Sequence, residues 1–176
     1  HLATHGAYSD QDSADEIIST NFIGTWNLLQ ASRSIDYKLL VNTGSSSEYG
    51  FKTAAMREND LLEPNSYYAV TKAAQSLICQ FLAKNTGKPI VTIRPFSVYG
   101  PYEEPRRLIP TLLTSVMYQK DMKLVSGKVA RDYVFVDDVV EAYLKTHKLV
   151  RQSGEIINIG SGTQTSIDQL VKIVCK

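Results

Sequence analysis

The stretch from Ser66 to Pro95 reads SYYAVTKAAQSLICQFLAKNTGKPIVTIRP. Its first part, Ser66 to Thr86, predicts a long helix, ended by Gly87 and Pro89. Its second part, Ile90-Val91-Thr92-Ile93, is β-branched throughout and stops at Pro95, which predicts a buried strand. A long helix leading directly into a buried strand is the basic step of an α/β protein.

The same alternation extends outward in both directions. Upstream, Ser13-Ala14-Asp15-Glu16 reads as a capping box, a hydroxyl cap with an acid three residues on. Ile17, Gly24, Leu28 and Ala31 recur at helical spacing, so a helix is expected from Ser13 to Ser34. Lys38 to Asn42 follows as a short apolar strand, and Gly44 to Asn65 as a polar loop. Downstream, a helix is expected over Leu108 to Gln119, with Pro110 in its first turn. Strands are expected at Lys123-Leu124-Val125, Asp132 to Val136 and Glu155 to Ile159. Asp137 is expected to cap a helix running to about Val150, and Ser166-Ile167-Asp168-Gln169 to open a last helix with a second capping box. Gly160-Ser161-Gly162 lacks a third glycine three residues on, so it reads as a tight turn between strand and helix and not as a dinucleotide fingerprint. The order predicts an α/β fold with a mostly parallel sheet and ligands at the carboxyl ends of its strands.

Composition narrows the function classes. The chain has 176 residues, 43% hydrophobic and 21% charged, which is typical of folded soluble domains. Nineteen basic against eighteen acidic side chains leave a formal charge of +1, which offers no electrostatic footprint for nucleic acid or an anionic membrane. No apolar run approaches the roughly 18 residues that span a bilayer. Cys79 and Cys175 lie too far apart to suggest a disulfide framework or a thiolate metal site, so a cytoplasmic location is expected. His1, His5 and His147 have no metal-ligand spacing, and Asp137-Asp138 is explained by a helix start. No metal is expected.

Tyr68-Ala69-Val70-Thr71-Lys72 is the strongest chemical signal. On a helix, positions i and i+4 share a face, so a phenol and an ammonium meet. A nearby cation favours the phenolate, and such a phenol can exchange a proton with an alcohol near neutral pH. The polar cluster Gly44-Ser45-Ser46-Ser47-Glu48-Tyr49-Gly50 follows a strand, at the sheet edge where α/β proteins place ligands. A hydroxyl there can bond the same substrate oxygen.

With these motifs in order, the chain resembles the extended short-chain dehydrogenase/reductases, and within them the NAD-dependent nucleotide-sugar epimerases and dehydratases. His1-Leu2-Ala3 resembles the family's HLA segment. Asn21, Gly24, Thr25 and Leu28-Leu29 are similar to its N-x-x-G-T-x-x-L-L helix. Ser45 stands four residues before Tyr49-Gly50, at the place of the catalytic Ser or Thr. Tyr68 and Lys72 match the Tyr-x-x-x-Lys pair. Arg94-Pro95 with Val98-Tyr99-Gly100-Pro101, Arg131 to Val139, and Asn158-Ile159-Gly160-Ser161-Gly162 resemble three further family motifs.

The resemblance implies a Rossmann-like, doubly wound fold. Residues 1–100 would be the later part of a dinucleotide-binding domain, and residues 101–176 a substrate-binding region mixed with remaining Rossmann elements. It implies C4 epimerisation of a nucleotide sugar by transient oxidation, with Ser45, Tyr68 and Lys72 as the catalytic residues. NAD, with NADP as the alternative, would be held by Leu2, Ala3, Thr4, Tyr68, Lys72, Pro95 and Val98. Ser46, Ser47, Ser97 and Arg131 would contact the substrate, Arg131 through its diphosphate. Family members dimerise through two long helices, here Ser13 to Ser34 and Ser66 to Thr86.

Two departures bear on the reaction. The 4,6-dehydratases of the family carry a Glu two residues before Tyr-Gly, where this chain has Ser47, with Glu48 one residue later. In extended backbone such a slip turns the side chain to the opposite face, which disfavours elimination. Ser97 stands where many relatives have a substrate-contacting Asn. A reductase of a 4-keto nucleotide sugar is the first alternative, because Gly-Ser-Ser-x-Glu-Tyr-Gly also resembles the loop of GDP-4-keto-6-deoxymannose reductases. A 4,6-dehydratase comes next, and a catalytically idle regulatory relative is the alternative of another class. His1 lacks a preceding Met and the chain stops within a helix at Val174-Cys175-Lys176. It therefore reads as an interior piece whose first βαβ unit, with the pyrophosphate loop, lies upstream, and weak NAD binding is expected of these residues alone.

Overall fold

The computed structural model describes residues 1–8, 10–124, 127, 129–149 and 152–175. Six strands occur among them: β1 (Leu40–Thr43), β2 (Ile90–Pro95), β3 (Ser97–Tyr99), β4 (Ala130–Phe135), β5 (Ile156–Ile159) and β6 (Gln164–Ser166). The α-helices are α1 (Ala14–Ile18), α2 (Gly24–Ala31), α3 (Tyr67–Thr86), α4 (Leu108–Met117), α5 (Val136–Leu149) and α6 (Ile167–Val174). The chain divides into two compact units, His1–Pro95 with Ala142–Ile159, and Phe96–Glu141 with Gly160–Lys176.

In the first unit a parallel sheet runs in the order β1-β2-β5, with Leu40 opposite Ile90 and Thr92 opposite Ile156. The central strand is buried from Ile90 to Arg94, as its β-branched run predicts for a strand covered on both faces. α3 packs on it, and Leu29, Cys79, Ala83 and Ile90 form a core flanked by Tyr37, Leu40, Ile78 and Leu82. α3 keeps its expected ends. Ser66 Oγ accepts from Ala69 N at 3.1 Å, and Gly87 closes the helix at φ 70°, a conformation that favours glycine.

The expected helix from Ser13 to Ser34 is present in three parts and stops at Ala31. Between α1 and α2 lies a wide π turn, Ser19–Ile23. This turn holds Asn21, which is fully buried; its Nδ2 donates to His5 O and Thr71 Oγ1, and its Oδ1 accepts from His5 N. A long-range polar anchor of this kind leaves no trace in local periodicity. Only one half of the first capping box forms, Glu16 N to Ser13 Oγ at 3.4 Å.

The expected loop after β1 opens with a 3₁₀ turn, Ser46–Tyr49, capped by a Ser45–Glu48 box. The Glu48 carboxylate, fully buried, accepts from Arg94 Nε on β2 at 2.8 Å. Arg94 Nη1 donates to Tyr49 Oη at 2.8 Å, and its guanidinium lies 4.8 Å from the Tyr49 ring centre. Tyr49 Oη in turn donates to Asn158 Oδ1 on β5. One ionic network thus pins the loop across two strands. Gly50, at φ 71°, follows; a Cβ there would strike the Glu63 carbonyl, so the turn admits only glycine.

The second unit has β3 parallel and β6 antiparallel to β4. Tyr99 meets Tyr133 and Phe135 edge to face. Several local expectations change here. Lys123 and Leu124 form no strand, and Val125 lies outside the described residues. α5 begins at Val136, so Asp137 and Asp138 occupy its first turn as acids facing the helix dipole, and Asp137 is not the cap. That helix is described to Leu149, and Val150 lies outside the described residues. α4 ends at Met117, short of Gln119, which has φ 52°. Gly160-Ser161-Gly162 leads into β6 and not straight into a helix; the antiparallel partner β4 supplies the pairing that a short polar segment does not advertise. The second capping box forms as expected at Ser166 and Gln169. No helix among the described residues is long and apolar enough to cross a membrane.

The ionic network yields a stability prediction. Arg94→Met leaves the Glu48 carboxylate buried without its counter-charge and is expected to cost about 3–5 kcal/mol in urea unfolding. The double variant Glu48→Val/Arg94→Met is expected to recover most of that loss, because the buried pair is then removed whole.

Candidate active site

The first turn of α3 carries Tyr68, half-buried, and the next turn Lys72, which is 2% exposed. Lys72 Nζ lies 6.0 Å from the Tyr68 ring centre. It donates to Thr43 O at the end of β1 (2.9 Å) and to Gln75 Oε1 (3.1 Å). An ammonium has three hydrogens, and the third has no acceptor among the described residues. Burial pulls this ammonium down to about 8, and the Glu48 carboxylate, then Cys79, oppose the fall.

Ser45 is carried by the chain leaving β1. Its backbone is extended (φ −159°, ψ 146°), and it is nearly buried. Its Oγ accepts from Ser47 N at 3.1 Å, while the hydroxyl hydrogen has no acceptor among the described residues. The 3₁₀ turn after it packs against α3. Ser45, Tyr68 and Lys72, separate in sequence, all belong to the first unit, and Lys72 reaches the end of β1 at Thr43, two residues before Ser45. Ser46 and Ser47 are half-exposed on the same turn.

Glu48 differs from the sequence expectation in its reason. The turn is 3₁₀ and not extended, so the argument from alternating faces does not apply; a step of about 120° per residue sends Glu48 inward. Its Oε1 accepts from Ser45 N and Ser76 Oγ, each at 2.8 Å, and its Oε2 from Arg94 Nε. Burial pushes this carboxyl up, and Arg94 with the two further donors opposes the rise.

Residues from the amino-terminal segment border the same strand. His1 N donates to Val41 O at 2.8 Å and Thr43 N to His1 O at 3.2 Å, so His1 runs as a strand-like neighbour of β1. Beyond it Leu2, Ala3 and Thr4 are exposed, Leu2 at 69%. His1 Nε2 is 2.8 Å from Thr25 Oγ1. Pro95 ends β2, half-exposed.

Ser97, Val98 and Arg131 lie in the second unit. Ser97 and Val98 stand opposite Tyr133 and Val134. Arg131 is exposed on β4. Its neighbour Asp132 accepts from Ser161 N (2.8 Å), Ser161 Oγ (2.7 Å) and Gly162 N (2.9 Å), which fixes the turn after β5. No cluster of three metal-binding side chains occurs among the described residues.

Three participants were not singled out from sequence. Thr43 and Gln75 hold Lys72, and Tyr143 Oη on α5 is 2.7 Å from Thr43 Oγ1. Burial is the main cause that raises the Tyr143 phenol; the Thr43 bond opposes it and Tyr68 adds to it. Gln75 was findable, since it lies three residues after Lys72 on one helix. Tyr143 comes from 100 residues beyond Thr43 and has no local signal.

A model described as the NAD dependent epimerase/dehydratase family matches residues 1–160. The UDP-glucuronate 4-epimerase of Thermodesulfobacterium geofontis is 30% identical over 178 residues, an alignment that covers 99% of this chain and 54% of that protein. A dTDP-glucose 4,6-dehydratase of Xanthomonas campestris is 29% identical, with 90% and 48% covered. The crystal structure of UDP-glucuronic acid 4-epimerase from Bacillus cereus, in complex with UDP-glucuronic acid and NAD, superposes with a TM-score of 0.88. It is 29% identical, and the match covers 99% of this chain and 57% of that one. The chain thus spans about half the length of the curated relatives it matches. With the motif order, the parallel sheet and a family match over most of its length, the chain belongs to the NAD-dependent epimerase/dehydratase family.

Proposed function

We propose that this chain takes part in NAD-dependent modification of a nucleotide sugar, and that the reaction is epimerisation at C4. The observation that carries the reading is the buried Lys72 ammonium beside Tyr68, with one hydrogen left unspent. That donor suits a ribose hydroxyl, and the exposed Leu2-Ala3-Thr4 next to β1 suits an apolar ring face, so these residues fit the dinucleotide. When bound, NAD supplies hydride acceptance from C4 and hydride return.

The protein's part is proton transfer and orientation. Tyr68, as phenolate, takes the proton of the C4 hydroxyl and later gives it back. The Lys72 charge favours that phenolate, and its fixed bonds to Thr43 and Gln75 keep it in place. The Ser45 hydroxyl donates to the same sugar oxygen. Ser46 and Ser47 are assigned to the substrate, as are Ser97 and Arg131 of the second unit; Pro95 and Val98 are assigned to the cofactor. Elimination needs a base at C5, and Glu48 does not supply it, because its carboxylate is buried and taken by Arg94, Ser45 and Ser76. This favours epimerisation over 4,6-dehydration. Reduction of a 4-keto sugar remains the second reading, since the same three side chains serve it.

A homodimer completes the reading. Val70, Leu77 and Phe81 share one face of α3 and are exposed, as are Ile23 and Trp26 on the neighbouring helical segment. Phe81→Arg is expected to turn a dimer into a monomer by light scattering; a wild-type monomer at micromolar concentration would refute the assignment.

Incubating the intact protein with UDP-, GDP- and dTDP-sugars is expected to give a 4-epimer without net cofactor turnover. Stoichiometric consumption of NAD(P)H would instead identify a reductase. Tyr68→Phe is expected to abolish turnover with the fold intact, and undiminished rates would point to another catalyst. The Lys72 ammonium is lost as pH rises through about 8, so kcat is expected to fall on that alkaline side. Stability should move the other way. Between about 8 and the ordinary lysine value of 10.5 the unfolded chain holds the extra proton, so unfolding becomes harder as pH rises. A kcat profile flat from pH 7 to about 9.5 would contradict the role of Lys72.

A further inference from the structure

Lys72 and Glu48 grip the same three residues from opposite ends. The Lys72 ammonium takes the Thr43 carbonyl, and the Glu48 carboxylate takes the Ser45 amide at 2.8 Å. Between them stands Gly44, whose N donates to Ile93 O at 2.8 Å; a Cβ at this position would collide with Glu48 Oε1, so the carboxylate sits closer to the backbone than any side chain would allow. Glu48 is itself fixed from two directions, by Ser76 on α3 and Arg94 on β2. Its backbone-directed oxygen leaves the Ser45 Oγ hydrogen uncommitted.

From this geometry we infer that Glu48 is a positioning residue: paired with Lys72, it clamps the Thr43–Ser45 backbone so that the Ser45 hydroxyl is presented in one orientation. The inference rests on the proposed role of Ser45. A buried carboxylate is a strong acceptor with little freedom, and bonds from an ionised acceptor to a backbone N–H are among the stronger ones in proteins. Its charge also acts on Lys72, whose ammonium it favours against burial. The other groups reaching Lys72 are Cys79 on its own helix and Tyr68 one turn before it.

Two double variants of the intact protein separate positioning from mere stability. Glu48→Gln/Arg94→Met keeps a neutral acceptor for Ser45 N, whereas Glu48→Val/Arg94→Met removes it; both delete the ion pair whole and both take the Glu48 charge away from Lys72, so the difference between them reports the acceptor. The Val/Met variant is expected to lose about 100-fold in kcat, with KM for the nucleotide sugar changed less than about threefold, since a small misplacement of a catalytic group acts on kcat. The Gln/Met variant is expected to recover to within about tenfold of wild type. Wild-type kcat in a folded Val/Met variant, or equal losses in both, would overturn the inference. Hydrogen exchange on the unsubstituted protein tests the clamp without any variant. Ser45 N–H is expected to exchange only with global unfolding, and exchange as fast as exposed loop amides would also overturn it. The hydrogen-exchange readout is independent of the role of Tyr68. If Tyr68→Phe stays active while Gln/Met and Val/Met still separate, the proposed chemistry fails and the positioning role stands.

Discussion

The buried pair between Glu48 and Arg94 is the constraint on which the β1–α3 edge of the first unit is built. Two charges removed from water are costly unless every lone pair and hydrogen finds a partner. Here the partners are spread over the 3₁₀ turn, α3, β2 and β5: Ser45, Ser76, Tyr49 and, through Tyr49, Asn158. Satisfying the pair therefore fixes the relative placement of four elements. An apolar contact of the same size would tolerate small slips among them, because it has no direction.

The same edge holds a second buried charge of opposite sign to Glu48. Lys72 lies in the interior with its ammonium on the end of β1, a placement that burial opposes and that Glu48 partly offsets. Such an arrangement is poor for stability taken alone. It is understandable where a proton must leave an alcohol near neutral pH, since a lysine pulled down to about 8 is a responsive charge beside a phenol. Under the proposed reaction, stability and chemistry pull on this residue in opposite directions.

The direction of Glu48 is set by its partners and not by the alternation of an extended strand. Read as extended backbone, the shift from Ser47 to Glu48 turns the acid away from substrate. The backbone is a 3₁₀ turn, so alternation of faces is the wrong rule. Glu48 is nonetheless turned inward, because Arg94, Ser45 and Ser76 occupy its oxygens. The reason is a long-range partner and not a local twist.

Much of the fold was legible from residues 66–95 outward, because helix caps, helix-ending Gly and Pro, and β-branched strands act over a few residues. Ser66, Gly87 and the run from Ile90 to Ile93 stand where their chemistry predicts, and Tyr68 with Lys72 share a helix face by spacing alone. The features that sequence did not reveal depend on partners far away along the chain. Asn21 sits in a π turn bound to His5 and Thr71, β6 forms against β4, and Tyr143 reaches Thr43 from α5. The composition of local segments thus determined which elements form and which side chains could react. Tertiary structure alone decided the direction in which Glu48 points and which groups surround Lys72, because hydrogen bonds and buried charges select their partners in space and not by separation in sequence.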